Sequence, residues 1–317
     1  MVVCDGSPKL DCSQLTVSPL PAKSLSASPH NPLFGFLNVY KPQGITSHDV
    51  VARLRRLTKI RQIGHTGTLD PFAEGVLPIC IGKATRLIEY LNDDKEYLAT
   101  VQFGAATSTY DLEGEKTFTS DIKVSKEDVI EGLKSFEGEI SQLPPIYSAI
   151  KVKGKKLYEY ARNNEEVEIQ PRKVVIERIE LKSFNEKLQQ AEILIKCSKG
   201  TYIRSIAHDL GENLGAWAHL IKLIRTQAGK FFIEKSVMLD DDLDVNRNLI
   251  NPVEMLDIAK LEVSEEELYK IRNGQFLLNK NIRHGDFVIL IYNENVEKIC
   301  AVGIADNDKI RVKKVFL

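Results

Sequence analysis

No apolar run in this sequence is long enough to span a bilayer. The first residues also lack the charged segment and apolar core of a secretory signal. Cysteine is scarce: Cys4, Cys12, Cys80, Cys197 and Cys300 are odd in number and widely spread, and no pair has metal-ligand spacing. That pattern excludes a disulfide framework and a cysteine zinc site. It predicts reduced thiols in a cytoplasmic protein, with Cys80 and Cys197 in the core. Neither a dinucleotide fingerprint nor a P-loop is present, and no metal and no cofactor is expected. An excess of one charge is also missing, since 43 basic residues face 44 acidic ones for a net charge of −1.

The even total hides a local asymmetry. From Asp240 to Lys270 ten acids face only Arg247, Lys260 and Lys270, so that segment carries −7 and the rest of the chain +6. A polyanion binder needs a basic surface rather than a basic total. The acidic stretch is therefore expected to face away from any nucleic acid and to connect two domains. A chain of 317 residues, 43% hydrophobic and 27% charged, is globular and long enough for one large domain and a small one. Residues 1–30 are rich in Ser and Pro without apolar periodicity and read as a disordered tail.

What the sequence does contain begins at Phe34–Tyr40, a short apolar strand. After a Pro42/Gly44 turn, Thr46 and Asp49 form a capping-box signature for a helix with Val50, Val51, Leu54 and Leu57 on one side. Arg53, Arg55, Arg56, Lys59 and Arg61 crowd the remainder, either as a solvated face or as a phosphate-contacting edge. A helix is expected to run through Leu91, then a strand over Glu96–Phe103 with Tyr97 at its start, then a polar loop over 104–120. Ser125 and Asp128 form a second capping box. In residues 143–162 Tyr147, Tyr158 and Tyr160 interleave with Lys151, Lys153, Lys155 and Lys156, which supplies charge for phosphates and rings for bases. Strands over Val174–Ile179 and Ala191–Cys197 precede a helix from Tyr202 to Leu214, which opens at a strand-to-helix junction carrying Tyr202 and Arg204. Helical turns are expected around Val253–Ala259 and Glu265–Arg272, and three short strands follow Gly285.

One carboxylate stands apart from the others. Asp70 lies in Ile63–Arg86, where Gly64, Gly67, Pro71 and Gly75 force sharp turns and where His65, Thr66 and Thr68 supply short polar groups. No Lys or Arg partners it within its loop. The apolar run Val76–Ile81 then reads as a buried strand, which would hold Asp70 on a tight loop anchored in the core.

The segment GHTGTLDPFAEGVLPICIGKATR (residues 64–86) resembles the catalytic motif of the TruB family of RNA pseudouridine synthases. The segments LPPIYSAIKVKGKKLYEYAR, GTYIR and HLIKLIR resemble further motifs of the same family, so the likeness covers residues 34–230. It implies an α+β fold: a mixed, largely antiparallel sheet flanked by helices over residues 31–250, with a small PUA-like β-barrel over 251–317. It implies the isomerisation of uridine to pseudouridine at position 55 in the T loop of tRNA. Asp70 would be the nucleophile, Arg204 its ion-pair partner, and Tyr202 would pack against the reacting nucleotide. Tyr97 would stack on the extruded base and Leu223 would line its pocket. His65, Lys83, Tyr147 and Lys151 are assigned to RNA contact, Lys83 and Arg86 being open also to a structural role. The family often has a basic residue where Ile224 stands. The expected partner is the tRNA T arm, acted on by a monomer with no membrane and no obligate protein partner.

Two other classes fit parts of the sequence. A glycosidase needs two carboxylates, and Glu74 is the other acid near Asp70. A non-catalytic RNA-binding protein would need none.

Overall fold

The computed structural model describes residues 33–163, 165–293 and 297–317. The tail expected over residues 1–30 lies outside these. Among the described residues the strands are β1 (Gly35–Lys41), β2 (Ile63–His65), β3 (Glu74–Ile81), β4 (Lys95–Phe103), β5 (Ala105–Thr107), β6 (Lys116–Thr119), β7 (Gly138–Gln142), β8 (Lys151–Val152), β9 (Lys155–Lys156), β10 (Arg172–Asn185), β11 (Gln190–Cys197), β12 (Ala218–Ala228), β13 (Phe231–Phe232) and β14 (Val237–Met238). The C-terminal strands are β15 (Ala259–Glu262), β16 (Leu277–Leu278), β17 (Phe287–Asn293), β18 (Glu297–Asp306) and β19 (Lys309–Val315). The helices are α1 (Ser47–Thr58), α2 (Lys126–Lys134), α3 (Leu157–Arg162), α4 (Ile203–Asn213), α5 (Pro252–Met255) and α6 (Glu265–Arg272).

Ten strands form one sheet in the order β14-β1-β3-β12-β4-β11-β10-β7, with β13 on β12 and β2 on β3. Only the β1–β14 and β3–β12 pairings are parallel. The sheet is therefore mixed and largely antiparallel, as expected.

The two faces of β3 explain its continuous apolar run. Leu77, Ile79 and Ile81 point into a core closed by Val50, Val51 and Leu54 of α1, Val129 and Leu133 of α2, and Ile203, Ile206 and Leu210 of α4. Val76 and Cys80 point to the opposite core, shared with Ile289, Ile291, Ile299 and Val302 of the C-terminal sheet. A strand covered on both faces needs no polar alternation.

Local signals are met closely at the helix starts. Thr46 N donates to Asp49 Oδ2 (2.8 Å) and Asp49 N to Thr46 Oγ1 (3.1 Å), and Ser125 and Asp128 repeat the arrangement. Elsewhere tertiary context prevails. The helix expected through Leu91 is a 3₁₀ helix over Gly82–Tyr90 with no side-chain cap. Of the turns expected around Val253–Ala259 only α5 forms. Ala259–Glu262 instead pairs in parallel with β17, because a strand edge there offers its backbone partners. The polar loop 104–120 contains the small hairpin of β5 and β6.

The three expected C-terminal strands become a curled, PUA-like sheet of five, in the order β15-β17-β18-β19-β16. The acidic stretch reaches the basic helix: Asp241 pairs with Arg53 of α1 at 2.7 Å.

Candidate active site

Asp70 sits on the loop of residues 66–73 between β2 and β3, whose backbone is tied on each side to buried groups. Arg225 of β12 is wholly buried. Its Nε donates to Val76 O (2.7 Å), and its Nη1 and Nη2 donate to Thr68 O (3.4 Å) and Gly67 O (3.0 Å). Ser47 Oγ bonds both the N–H (2.8 Å) and the carbonyl (3.1 Å) of Leu69. Lys41, also wholly buried, donates from Nζ to Pro42 O (2.9 Å), Ile45 O (2.8 Å) and Pro71 O (3.3 Å). The loop can run this close to β12 because Gly75, at φ 106°, follows it. A Cβ there would lie 2.3 Å from Arg225 O. Two cations thus lie under the loop bonded to carbonyls, which leaves the Asp70 carboxylate free to face outward.

The face of Asp70 away from these cations meets Arg204, in the first turn of α4. Nε of Arg204 lies 3.0 Å from Asp70 Oδ2. The Nε–H is not aimed at a hydrogen-bond acceptor, so this contact is charge pairing more than an aligned bond. The rest of the guanidinium is fixed: Nη1 donates to Thr109 O (3.0 Å) and lies 3.4 Å from Asp111 Oδ2, and Nη2 donates to Tyr147 O (3.0 Å).

Arg204 is 5% exposed and Asp111 4%, whereas 37% of the Asp70 side chain remains open, so the acid can be approached from solvent. Surrounding protein nevertheless removes enough water to push the Asp70 pKa up. Arg204 opposes that shift, Asp111 adds to it, and Lys41 opposes it more weakly. Burial also brings the Lys41 ammonium down to about 8.

Tyr202 is the N-cap of α4. The buried Gln142 amide pins its backbone, donating to Tyr202 O (3.0 Å) and accepting from Tyr202 N (2.8 Å). Ser205 Oγ holds Leu143 O (2.8 Å), so the segment from Leu143 to Tyr147 is moored to the start of α4. Burial raises the Tyr202 phenol pKa, and the charge of Asp70 adds to that, so the ring is a protonated phenol at neutral pH.

Tyr97 is 7% exposed in β4, directly across the ladder from Arg225. Its pKa too is raised by burial. Leu223, 5% exposed, belongs to the core under the sheet. His65 ends β2, where burial lowers its pKa and keeps it neutral, and its Nδ1 has no partner. Lys151 is exposed on β8, beside Lys155 and Lys156 of β9.

A cleft of roughly 800 Å³ opens next to Tyr147, lined by Ser108, Ile146, Ala161 and the acidic run from Glu165 to Glu168. Its acidic rim disfavours a phosphodiester.

Asp70, Tyr202, Arg204 and Tyr147 are thus brought together, with His65 on the strand that leads into the loop and Tyr97 on β4, across β12 from it. Lys83 is not part of that group. Its Nζ donates to Phe316 O (3.1 Å) and Leu317 O (2.7 Å), and Arg86 Nη1 donates to Val315 O (2.8 Å). Arg86 thus joins the 3₁₀ helix to the end of β19, and Lys83 joins it to the two residues that follow. The other carboxylate weighed for a glycosidase, Glu74, accepts a hydrogen bond from Tyr40 (2.8 Å) and lies 3.7 Å from Lys222.

Lys41, Asp111 and Arg225 were not singled out by the sequence. A signal existed for Lys41, a lone cation at the end of an otherwise apolar strand. For Asp111 and Arg225 there was none beyond membership of a polar loop and of a motif.

The fold has solved counterparts. The chain is similar to a protein in the structure of an H/ACA RNP bound to a substrate RNA containing 2′-deoxyuridine, with a TM-score of 0.66 and 24% identity over 96% of each chain. It is also similar to a chain of a Cbf5-Nop10-Gar1 complex, with a TM-score of 0.65 and 27% identity over 90% of this chain and 85% of that one. The fold is that of a pseudouridine synthase.

The family model of the TruB family pseudouridylate synthase N-terminal domain matches residues 55–203, and that of the tRNA pseudouridylate synthase B C-terminal domain matches residues 204–256. tRNA pseudouridine synthase B of Caldanaerobacter subterraneus is 42% identical over 89% of this chain and 99% of its own length. The Clostridium tetani protein of that name is 40% identical over the same shares. The chain belongs to the TruB family of pseudouridine synthases, and it is an isomerase.

Proposed function

We propose that this chain converts uridine to pseudouridine in tRNA, at position 55 of the T loop, with Asp70 as the nucleophile and no protein partner. The tRNA substrate is supported by the names of relatives aligned over nearly their whole length. The reaction breaks the N1–C1′ bond, turns the uracil and joins C5 to C1′. C5 loses a proton and N1 gains one, so no redox partner or external reactant is consumed.

One observation carries the role of Asp70: its carboxylate is solvent-open on one side and 3.0 Å from a buried guanidinium on the other. It acts ionised, either at the ribose or through elimination to a glycal, and Arg204 keeps it charged when RNA closes the cleft. Tyr97 stacks on the base once it leaves the RNA fold, and Leu223 walls its pocket. Tyr202, a phenol with a raised pKa, relays the C5 proton by passing on its own rather than acting as a standing base. His65 fills space next to the extruded nucleotide, and Tyr147 and Lys151 guide the RNA strand. The catalytic unit spans residues 31–250 and the PUA-like unit 251–317, the latter adding RNA contacts. The work belongs in the cytoplasm, where tRNA matures. Among the described residues no helix is long and apolar enough to cross a membrane.

Incubating the purified chain with an unmodified T-arm hairpin, then mapping pseudouridine by carbodiimide-stop sequencing, tests this directly. A stop at the position-55 equivalent is expected, with RNA mass unchanged. Release of free uracil would instead mark a hydrolase, and modification confined to other positions would overturn the substrate assignment. Light scattering of the free chain is expected to give the monomer mass.

A further inference from the structure

The loop that grips the outer side of Arg204 is itself held by a stack of rings. Thr109 contributes its carbonyl to Arg204 and Asp111 its carboxylate. Between them Tyr110 turns the opposite way, in left-handed backbone at φ 63°. Its ring lies flat on His208, with centroids 3.8 Å apart and planes at 11°. His208 is four residues after Arg204, so both project from one side of α4. The loop from Thr107 to Gly114 is therefore pinned to this helix twice, by charge at Arg204 and by ring contact one turn later.

The stack continues: Trp217, also left-handed at φ 46°, lies 6.0 Å from His208 and is itself stacked on Phe118 of β6 at 4.5 Å. The β6 arm of the hairpin and the connection that carries Tyr110 are thus fastened to the same aromatic cluster. His208 Nδ1 makes no hydrogen bond, so stacking is what the ring contributes there. Burial lowers the His208 pKa and keeps the ring neutral. A bulky residue held in left-handed backbone persists only where its surroundings compensate the strain.

We propose that Tyr110 and His208 are positioning residues for catalysis: their stack sets the Thr109 carbonyl and the Asp111 carboxylate on Arg204, and thereby the placement of Arg204 against Asp70. The proposal rests on the pseudouridine synthase reading above. Neither side chain touches Asp70. They act through a loop whose internal shape is set by Tyr110 N to Thr107 O (3.1 Å), Thr107 Oγ1 to Asp111 O (2.7 Å), Thr109 Oγ1 to Asp111 Oδ1 (2.5 Å) and Glu113 N to Asp111 Oδ1 (3.1 Å), and which is tied to β12 by Leu220 N to Tyr110 O (3.0 Å). With the stack removed, those bonds still hold the loop in shape and on β12. None of them joins the loop to α4, which is left to the Arg204 contacts and the Tyr110–His208 stack, so the stack sets how the whole loop seats against Arg204.

The test uses the full chain and an unmodified tRNA transcript, comparing single-turnover rate with RNA affinity. Tyr110→Ala and His208→Ala are each expected to slow turnover by about tenfold or more, since displacements near 1 Å at a reacting centre cost on the order of a hundredfold. The Kd for tRNA is expected to stay within about twofold, because no RNA contact is removed. Tyr110→Phe and His208→Phe keep a stacking ring and are expected to hold the rate within about twofold of the parent. The double alanine variant is expected to be no slower than the worse single one.

Far-UV circular dichroism confirms that each variant is folded at the assay temperature, since Trp217 lies inside the perturbed ring cluster. Should His208→Ala not fold, Tyr110→Ala against Tyr110→Phe decides alone. A Tyr110→Ala variant that turns over at the parent rate would overturn the proposal. So would one that loses only affinity, or a Phe variant as slow as the Ala variant. A parent chain that forms no pseudouridine would instead sink the functional reading itself.

Discussion

Arg204 is shared between two carboxylates: Nε lies 3.0 Å from Asp70, and Nη1 of the same side chain lies 3.4 Å from Asp111. The inner acid is closed off at 4% exposure and the outer one is open at 37%. One buried cation thus neutralises a permanent partner while presenting its remaining edge to an acid that substrate can reach. Removing either acid leaves the arginine paired, whereas removing the arginine leaves a buried charge without compensation.

Replacing the open acid separates chemistry from folding. Asp70→Asn is expected to lower turnover by about a thousandfold or more while tRNA affinity changes little. Its stability should move the other way. Asp70 has a raised folded pKa, so its ionised form costs folding free energy at neutral pH. That cost fades as pH falls through the raised pKa and is gone below the unfolded value. Urea midpoints of the variant are expected to exceed the parent's at pH 7 and to converge with them toward pH 4. A variant less stable than the parent at pH 7 would contradict the account of Asp70 as a desolvated, functional charge.

Arg204 sets the acid limb of the pH–rate profile. If Asp70 acts ionised, the single-turnover rate should fall as pH drops through its raised pKa. Loss of the opposing guanidinium in Arg204→Gln raises that pKa further, so the limb moves to higher pH, whereas Arg204→Lys keeps the charge and moves it less. An acid limb in the same place for all three proteins would mean that Asp70 does not sense Arg204.

The lysine beneath the loop gives a stability signature of its own. Lys41→Met leaves three part-buried carbonyls without this donor, a loss of about 1–3 kcal/mol by the usual cost of orphaned polar groups. In the parent, burial lowers the Lys41 pKa from the ordinary 10.5 to about 8, so the unfolded chain holds the extra proton between those values. Parent stability should therefore gain from this group as pH rises from about 8 toward 10.5, and the gain should be missing in Lys41→Met. Denaturation curves at pH 7.5 and 9.5 make the comparison. Equal pH dependence in the two proteins would refute it.

Salt dependence sorts the lysines. Lys83 is occupied by the backbone oxygens of Phe316 and Leu317, just past the final strand, and Lys151 is exposed. Lys151→Ala is expected to flatten the slope of log Kobs against log salt by nearly one counterion's worth, about 0.7–0.9. Lys83→Ala should leave the slope alone and lower the melting temperature instead. A flattened slope for Lys83→Ala would return it to the RNA surface.

The sequence was most legible where a signal is local or doubly redundant. Thr46 with Asp49, and Ser125 with Asp128, could be read because a capping box is complete within four residues. Val76–Ile81 could be read because a strand covered on both faces must be apolar at every position. The short strand Ala259–Glu262 could not, because nothing in its four residues outweighs a helical pattern until β17 supplies hydrogen-bond partners.

By itself the chain determined the tight loop carrying Asp70, the strand that anchors it, and through its family resemblance the pairing of Asp70 with Arg204 across distant positions. The tertiary structure alone decided that Lys41, Arg225 and Asp111 are interior groups. A charged residue has the same letter on a solvated face as under a loop, and its role depends on what covers it and which carbonyls it meets. It likewise decided that Lys83, inside the motif, turns away to the residues just past the last strand. Backbone direction at Gly82 places that side chain, and no motif encodes the residues waiting there.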